Sequence, residues 1–258
     1  MSLRNGPVER NFRPVLAYFQ KISSPDEKAL AGAVGGVPEV DCGHTHFSST
    51  AMTQSTDEIT RRTLAYYDSN ARQFFAGTID HDVRQNIDAL LGAIECAGPH
   101  TILDLGCGPG RDLKSFSALG HRAIGVEGSG KFCDMARDYS GCEVWQQDFV
   151  HLDLPAGLFD GVFANAVLFH VPSAALPKVL ADLFAALKPG GVLFSSNPRG
   201  HNEEGWNGER YGSYYDLATW RQFTTAAGFI AVDHYYRPPG LPREQQPWLA
   251  SVWRRPLG

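Results

Sequence analysis

The sequence predicts an α/β fold, a mainly parallel sheet with helices on both faces, on the strength of three observations. From Thr101 onward, short apolar runs that read as strands alternate at regular intervals with helical periodicities, the signature of a parallel sheet covered on both sides. One strand-to-helix junction, Asp104-Leu-Gly106-Cys-Gly108-Pro-Gly110, holds three alternating glycines. Such a turn lets backbone approach a ligand where a Cβ would forbid it, at the carboxyl edge where these sheets bind ligands. A chain of 258 residues, 43% hydrophobic and 20% charged, suits one large domain with a modest extension.

Residues 1–55 read as that extension, partly irregular. Helical patches are expected at Val15 to Ile22 and Asp26 to Ala33, with linker around Gly35, Gly36, Pro38 and Ser48. Cys42-Gly-His44-Thr-His46 carries metal donors, but on a single loop without further partners it reads as a polar loop, and no metal site is expected. A domain over 56–258 begins with Ser55-Thr-Asp-Glu58, a capping box, and a helix through Arg61, Tyr66, Tyr67 and Ala71 to about Phe75, ended by Gly77. A second helix from about Asp82 places Ile87, Leu90, Leu91 and Ile94 on one face.

Strands are then expected at 101–105, 122–126, 143–146, 159–165, 191–195, 229–236 and 248–253. Helices are expected after the glycines and at 129–138, 174–187 and 217–227, with Pro189-Gly190-Gly191 as the turn between the helix at 174–187 and the strand at 191–195. Residues 197–215 read as irregular.

Net charge is −5, so no global positive field gathers nucleic acid or an anionic membrane. No apolar run reaches the length of a membrane span, and the arginines near the start break any signal-peptide core, so a cytoplasmic location is expected. Five cysteines without a C-x-x-C pair argue for reduced thiols.

The glycine spacing discriminates between cofactors. A dinucleotide fingerprint reads G-x-G-x-x-G and offers free N–H groups to a pyrophosphate. Here Arg111 stands where the third glycine belongs, and Pro109 removes a donor. Asp104 would repel a pyrophosphate but suits an ammonium group. An NAD-linked oxidoreductase is therefore the weaker reading.

The acidic-hydrophobic-Gly-x-Gly-x-Gly pattern resembles the first motif of class I methyltransferases that use S-adenosylmethionine, over roughly residues 62–255. The resemblance implies a Rossmann-like, seven-stranded sheet with an antiparallel last strand. It seats the methionyl part of the cofactor on Gly106, Gly108 and Gly110. Glu127, after the second strand, is placed to accept from both ribose hydroxyls, or is a solvated loop acid. Asp148 and Phe149, after the third strand, stand where the family contacts adenine, or Asp148 is a helix N-cap. Asn165 closes the fourth strand beside the sulfonium. Arg111 has the cofactor carboxylate, Asp112 or solvent as partner, and Tyr66 either meets that carboxylate end or packs in the core. His170 and the weaker His81 are candidate general bases, with packing as the alternative for His170. A non-catalytic S-adenosylmethionine-binding subunit is the non-enzyme alternative.

The fourth strand lacks the Asn-Pro-Pro-aromatic signature of amino-directed nucleic-acid methyltransferases, so a small acceptor is expected, with neither nucleic acid nor membrane as partner. Arg199, Arg210, Tyr211 and Tyr236 mix guanidinium and aromatic groups as a substrate lid would. Tyr67-Asp-x-Asn-Ala71, Phe75, Thr78-Ile-Asp-His-Asp82, Gly108-Pro-Gly-Arg-Asp112, Ser195-Ser-Asn-Pro-Arg-Gly200 and His234-Tyr-Tyr-Arg-Pro238 are similar to the methyltransferase domain attached to ovothiol synthases. That similarity implies an imidazole nitrogen of thiohistidine as acceptor, with Phe75 and Asp82 as further substrate residues. The family's sulfoxide synthase portion is absent from this chain, which leaves three alternatives: acting alone, acting with such a synthase as partner, or acting on another acceptor.

Overall fold

The structure is a computed structural model that describes residues 54–258. The two helical patches expected in the first 33 residues and the Cys42/His44/His46 loop lie outside the described residues. Helix α1 (Thr56–Thr78) starts one residue after Ser55, with Asp57 and Glu58 in its first turn. Gly77 does not end it: the helix runs one residue further, where the Thr78 carbonyl accepts from Arg111 at 2.9 Å and from the His81 N–H at 3.1 Å. Helix α2 (Arg84–Ala93) begins two residues after Asp82, whose carboxylate accepts from the Arg84 N–H at 3.0 Å.

The sheet then forms in the expected alternation: β1 (Thr101–Leu105), α3 (Arg111–Ala118), β2 (Arg122–Glu127), α4 (Gly130–Ser140), β3 (Glu143–Gln146), β4 (Phe159–Asn165), α5 (Leu176–Ala186) and β5 (Leu187–Pro198). After it come β6 (Glu203–Asn207), β7 (Arg210–Tyr214), α6 (Leu217–Ala226), β8 (Ile230–Arg237) and β9 (Trp248–Arg254). Seven strands join in the order β3-β2-β1-β4-β5-β9-β8. β1 to β5 are parallel, and β9 runs antiparallel to both of its neighbours.

Period-2 alternation sends side chains to two cores. Leu103, Val162, Leu193 and Trp253 face α5 and α6. Ile102, Phe163, Phe194 and Val252 face α2, α3 and α4, where the Phe163 and Phe194 rings stack at 5.0 Å and Phe116 meets Phe163 edge-on. With both faces filled, ligand access is left to the strand ends.

Two expectations are corrected. Pro189-Gly190-Gly191 is not a turn ahead of the fifth strand but a bulge inside β5, where the pairing steps from Phe159–Leu187 to Gly161–Val192. The 197–215 stretch is not irregular: β6 and β7 form a hairpin turning at Gly208-Glu209. Its signal was Gly208-Glu209, a two-residue hairpin turn with glycine at its first position, where Gly208 takes the left-handed region at φ 61°.

Candidate functional site

The site is built at the carboxyl ends of β1, β2 and β4. β1 delivers Asp104, and the chain then folds back so that Gly106 and Cys107 both donate to the Val126 carbonyl, at 2.7 and 3.2 Å. Gly106 has φ 64°, and a Cβ on it would lie 2.2 Å from a Val167 methyl and 3.1 Å from the Phe149 ring. Gly110 has φ 92°, and its Cβ would lie 2.9 Å from the Ala136 backbone. Neither position accepts a side chain without moving a neighbouring element.

Around that turn the polar groups are acidic and buried. Asp104 is 2% exposed, and its Oδ2 has no hydrogen-bond partner. Burial first, and then the nearby Asp112 and Glu127, push its carboxyl well above the usual carboxylate range, against the pull of Arg111. Glu127, 6% exposed, reaches back to the glycine turn, accepting from the Gly108 N–H at 3.0 Å and from the Ser129 N–H at 2.9 Å. Burial raises its pKa to about 7, those N–H groups partly opposing the rise.

The Arg111 guanidinium pairs with Asp112 at 2.7 and 2.9 Å, so of its candidate partners the structure shows Asp112. Asn165 joins Asp112 at 3.5 Å, a long contact, and accepts from the Asn86 amide at 2.9 Å. Asn86, fully buried, accepts in turn from the Tyr235 hydroxyl at 2.9 Å. Asn86 carries no sequence signal as a site residue, because 79 and 149 positions separate it from the residues it bonds and no local pattern marks it. Ala166, next to Asn165, takes φ 63°, a strained conformation for a side-chain-bearing residue at the strand end.

α1 covers the carboxyl edge of the sheet beside the turn after β2. Its Asp68 accepts from the Ser129 hydroxyl at 2.5 Å and from the Lys131 N–H at 3.2 Å, clamping the helix onto the turn after β2. Between them Thr60, Leu64, Asp68, Gly128, Asp148 and His151 line an open cleft of ≈ 370 Å³, within the range of small-molecule sites. Asp148 lines it while capping the 3₁₀ turn Phe149–His151, accepting from the N–H groups of Val150 and His151. Of the two readings of Asp148, these bonds show the N-cap. Phe149 packs half-buried between the glycine turn and the core.

Tyr66 and Tyr67 take different roles. Tyr66 is half-buried with the Arg210 guanidinium 5.1 Å over its ring. Tyr67 sits among Phe74, Phe132 and His170, its hydroxyl 2.7 Å from His170 Nε2 and within reach of Arg210. His170 Nδ1 lies 2.6 Å from the Tyr211 carbonyl, and burial lowers its pKa to about 4. Both of its ring nitrogens are thus bonded within the protein. His81 is exposed, with its pKa lowered by partial burial and by Arg111.

The expected lid is only partly assembled. Arg210 and Tyr211 lie on β7 against α1, with the Tyr211 N–H donating to Thr63 at 3.1 Å and its ring edge-on to Trp206. Arg199 is instead bonded to the carbonyls of Gln246, at 2.7 Å, and Arg243, and Arg243 covers the Tyr236 ring at 3.1 Å. The Arg199 guanidinium and the Tyr236 ring thus hold the β8–β9 loop. Phe75 packs edge-on against Tyr139 of α4, and Asp82 pairs with Arg84 on the surface, which holds its carboxyl well below the usual range.

Residues 102–191 match the family model described as a methyltransferase domain. A trans-aconitate 2-methyltransferase of Azoarcus sp. (strain BH72) is 34% identical over 116 residues, 44% of this chain and 45% of that protein. The chain thus spans less than half the length of that curated relative. Among solved structures, a 1,6-didemethyltoxoflavin-N1-methyltransferase of Burkholderia thailandensis, with 1,6-didemethyltoxoflavin and S-adenosylhomocysteine bound, superposes at TM-score 0.65 with 21% identity, covering 83% of this chain and 98% of that one. The [4+2]-cyclase SpnF superposes at TM-score 0.59 with 17% identity, covering 79% and 97%. The chain therefore has the Rossmann-like fold of the class I methyltransferases, and its glycine turn and acidic seat lie within the segment that the methyltransferase domain matches.

Proposed function

We propose that this chain is an S-adenosylmethionine-dependent methyltransferase acting on a small, polar, amino-acid-like acceptor. The observation that carries the reading is the buried, unpartnered Asp104 Oδ2 beside Glu127 at the end of a glycine turn. A buried carboxylate oxygen without a donor is costly, and a cationic ligand with an ammonium group is the chemistry that relieves it. S-adenosylmethionine carries an ammonium and a sulfonium, so the seat fits its charge. Glu127 would take the ribose hydroxyls, while the cleft beside Asp148 and Leu64 suits the nucleobase.

When bound, the cofactor supplies an activated methyl group for in-line attack. What this chain contributes is alignment and exclusion of water. α1 closes over the turn, and Tyr67 and His170 form a neutral, buried wall. No base is required of a neutral imidazole, which is nucleophilic near pH 7. The finer reading is thus an imidazole nitrogen of thiohistidine as acceptor, with a sulfoxide synthase as a separate partner. The motif similarity supports it, and a fold neighbour is named as an N1-methyltransferase. Residues 56–258 would form the methyltransferase domain and 1–55 an extension. Among the described residues no helix is long and apolar enough to cross a membrane.

Mass spectrometry of the protein with S-adenosylmethionine and a panel of thiohistidine, histidine, small thiols, amines and polycarboxylates tests the reading. A one-methyl product on thiohistidine alone supports the finer form, and one on another small acceptor supports only the coarser. Cofactor binding without any product favours a non-catalytic subunit.

A further inference from the structure

We propose that Cys96, His100 and Asp160 form a zinc site at the end of the sheet opposite the glycine turn. Cys96 and His100 lie in the segment joining α2 to β1, and Asp160 is the second residue of β4. β1 and β4 are parallel neighbours, so their amino ends bring the three side chains together, roughly 16 Å of strand away from the glycines. The proposal stands independently of the methyltransferase reading.

The geometry matches the metal. Cys96 Sγ lies 3.8 Å from His100 Nδ1 and 3.8 Å from Asp160 Oδ1, and the three ligand atoms lie within 4.8 Å of one another. Zinc–ligand bonds of about 2.0–2.3 Å in a tetrahedron set neighbouring ligand atoms about 3.5 Å apart, so a small contraction seats the ion. The mixed thiolate, imidazole and carboxylate set suits this borderline-soft dication better than calcium or magnesium.

The ligands are also held from behind, as metal ligands commonly are. The His100 ring stacks on His121 at 5.0 Å, and its backbone N–H donates to His121 Nδ1 at 3.1 Å. Asp160 Oδ2 accepts from the Thr101 N–H at 2.7 Å, which leaves Oδ1 aimed at Cys96. His100 and Asp160 are buried while Cys96 is exposed, so the site opens to solvent on the thiol side.

Lys188 supplies a built-in competitor. Its ammonium sits 2.7 Å from Asp160 Oδ1, showing that this oxygen already attracts a cation, and its side chain is 44% exposed and free to swing outward. Binding then replaces the lysine contact and the thiol proton: Cys96 loses H⁺ to solvent, its sulfur bonds the zinc, and a water completes the fourth position. No electrons move. The bound ion would tie the segment before β1 to β4.

The test uses the full chain, reduced and stripped with a chelator, titrated with Zn²⁺ against a chromophoric competitor and with Co²⁺ by absorption. The expected result is one equivalent per chain, one proton released, and a thiolate-to-cobalt charge-transfer band. Cys96→Ser, at an exposed position, is expected to remove the band and weaken Zn²⁺ at least ~10-fold. Lys188→Met is expected to tighten Zn²⁺ binding, which an unrelated surface site would not show. Wild-type affinity in Cys96→Ser, or unchanged or weaker binding in Lys188→Met, overturns the proposal.

Discussion

The hydroxyl of Tyr67 on α1 and Nε2 of His170 after β4 lie 2.7 Å apart, and the other ring nitrogen of His170 lies 2.6 Å from the Tyr211 carbonyl on β7. A carbonyl only accepts, so Nδ1 carries the proton and Nε2 accepts from Tyr67. That chain of bonds joins the roof helix, the end of the parallel sheet and the hairpin. It also fixes His170 as a neutral imidazole.

Tyr67→Phe removes the donor and leaves Nε2 buried without a partner. An unsatisfied buried acceptor costs about 1–3 kcal/mol, so a lower denaturation midpoint at unchanged slope is expected. An unaltered midpoint would mean that the bond contributes nothing to the roof.

Because burial lowers the His170 pKa from 6.5 to about 4, the unfolded chain binds more protons than the folded one between those values. Stability from this group is present above pH 6.5 and is lost as pH falls toward 4. Unfolding free energy followed across that window should fall more steeply with acidification for the wild type than for His170→Asn. Parallel curves would show that the imidazole is not held neutral.

Glu127 has the opposite sign. With its pKa raised to about 7, the folded apo chain holds a proton that the unfolded chain releases near 4.5, so stability declines as pH rises through that interval. Ribose hydroxyls donate best to the ionised form. Cofactor affinity by calorimetry is therefore expected to rise up to about 10-fold between pH 6 and 8, with Glu127→Gln weaker and flat across that range. A flat wild-type profile would remove the ribose role.

Arg199 separates a lid from a loop anchor. Its guanidinium is bonded to the carbonyls of Gln246 and Arg243, so Arg199→Ala should lower stability by about 1–2 kcal/mol with the acceptor's KM unchanged. A raised KM at full stability would restore Arg199 to the substrate.

The parallel sheet was legible because its signals are local: alternating strand and helix periods, and a Gly-x-Gly-x-Gly turn that admits few other readings. Glu127 was legible by position, since it closes the strand beside that turn. Asn86 was not, because what brings it to Asn165 is a buried contact between residues far apart in sequence. The β6–β7 hairpin was not legible because its turn, Gly208-Glu209, offers a single glycine among polar and aromatic residues without clean alternation. The bonds of Arg199 to backbone carbonyls were not legible either, since a guanidinium looks alike in sequence whether it meets a substrate carboxylate or a backbone carbonyl.

Asp104 gives the sharpest prediction, because function and stability pull it in opposite directions. Its buried Oδ2 has no donor, and burial together with the nearby Asp112 and Glu127 opposes its ionisation, so Asp104→Asn removes a group whose charged form the apo fold disfavours. The Leu113 N–H keeps its acceptor on the remaining oxygen. The apo variant is expected to be as stable as the wild type or more so, by about 1–2 kcal/mol in denaturant titration. An amide does not offer an ammonium group the same charge-assisted bond, worth about 1.5–3 kcal/mol, so S-adenosylmethionine affinity should fall roughly 10- to 100-fold. The joint outcome discriminates: a stabler apo protein with full affinity would mean that the ammonium lies elsewhere, whereas loss of both would make Asp104 a structural acid.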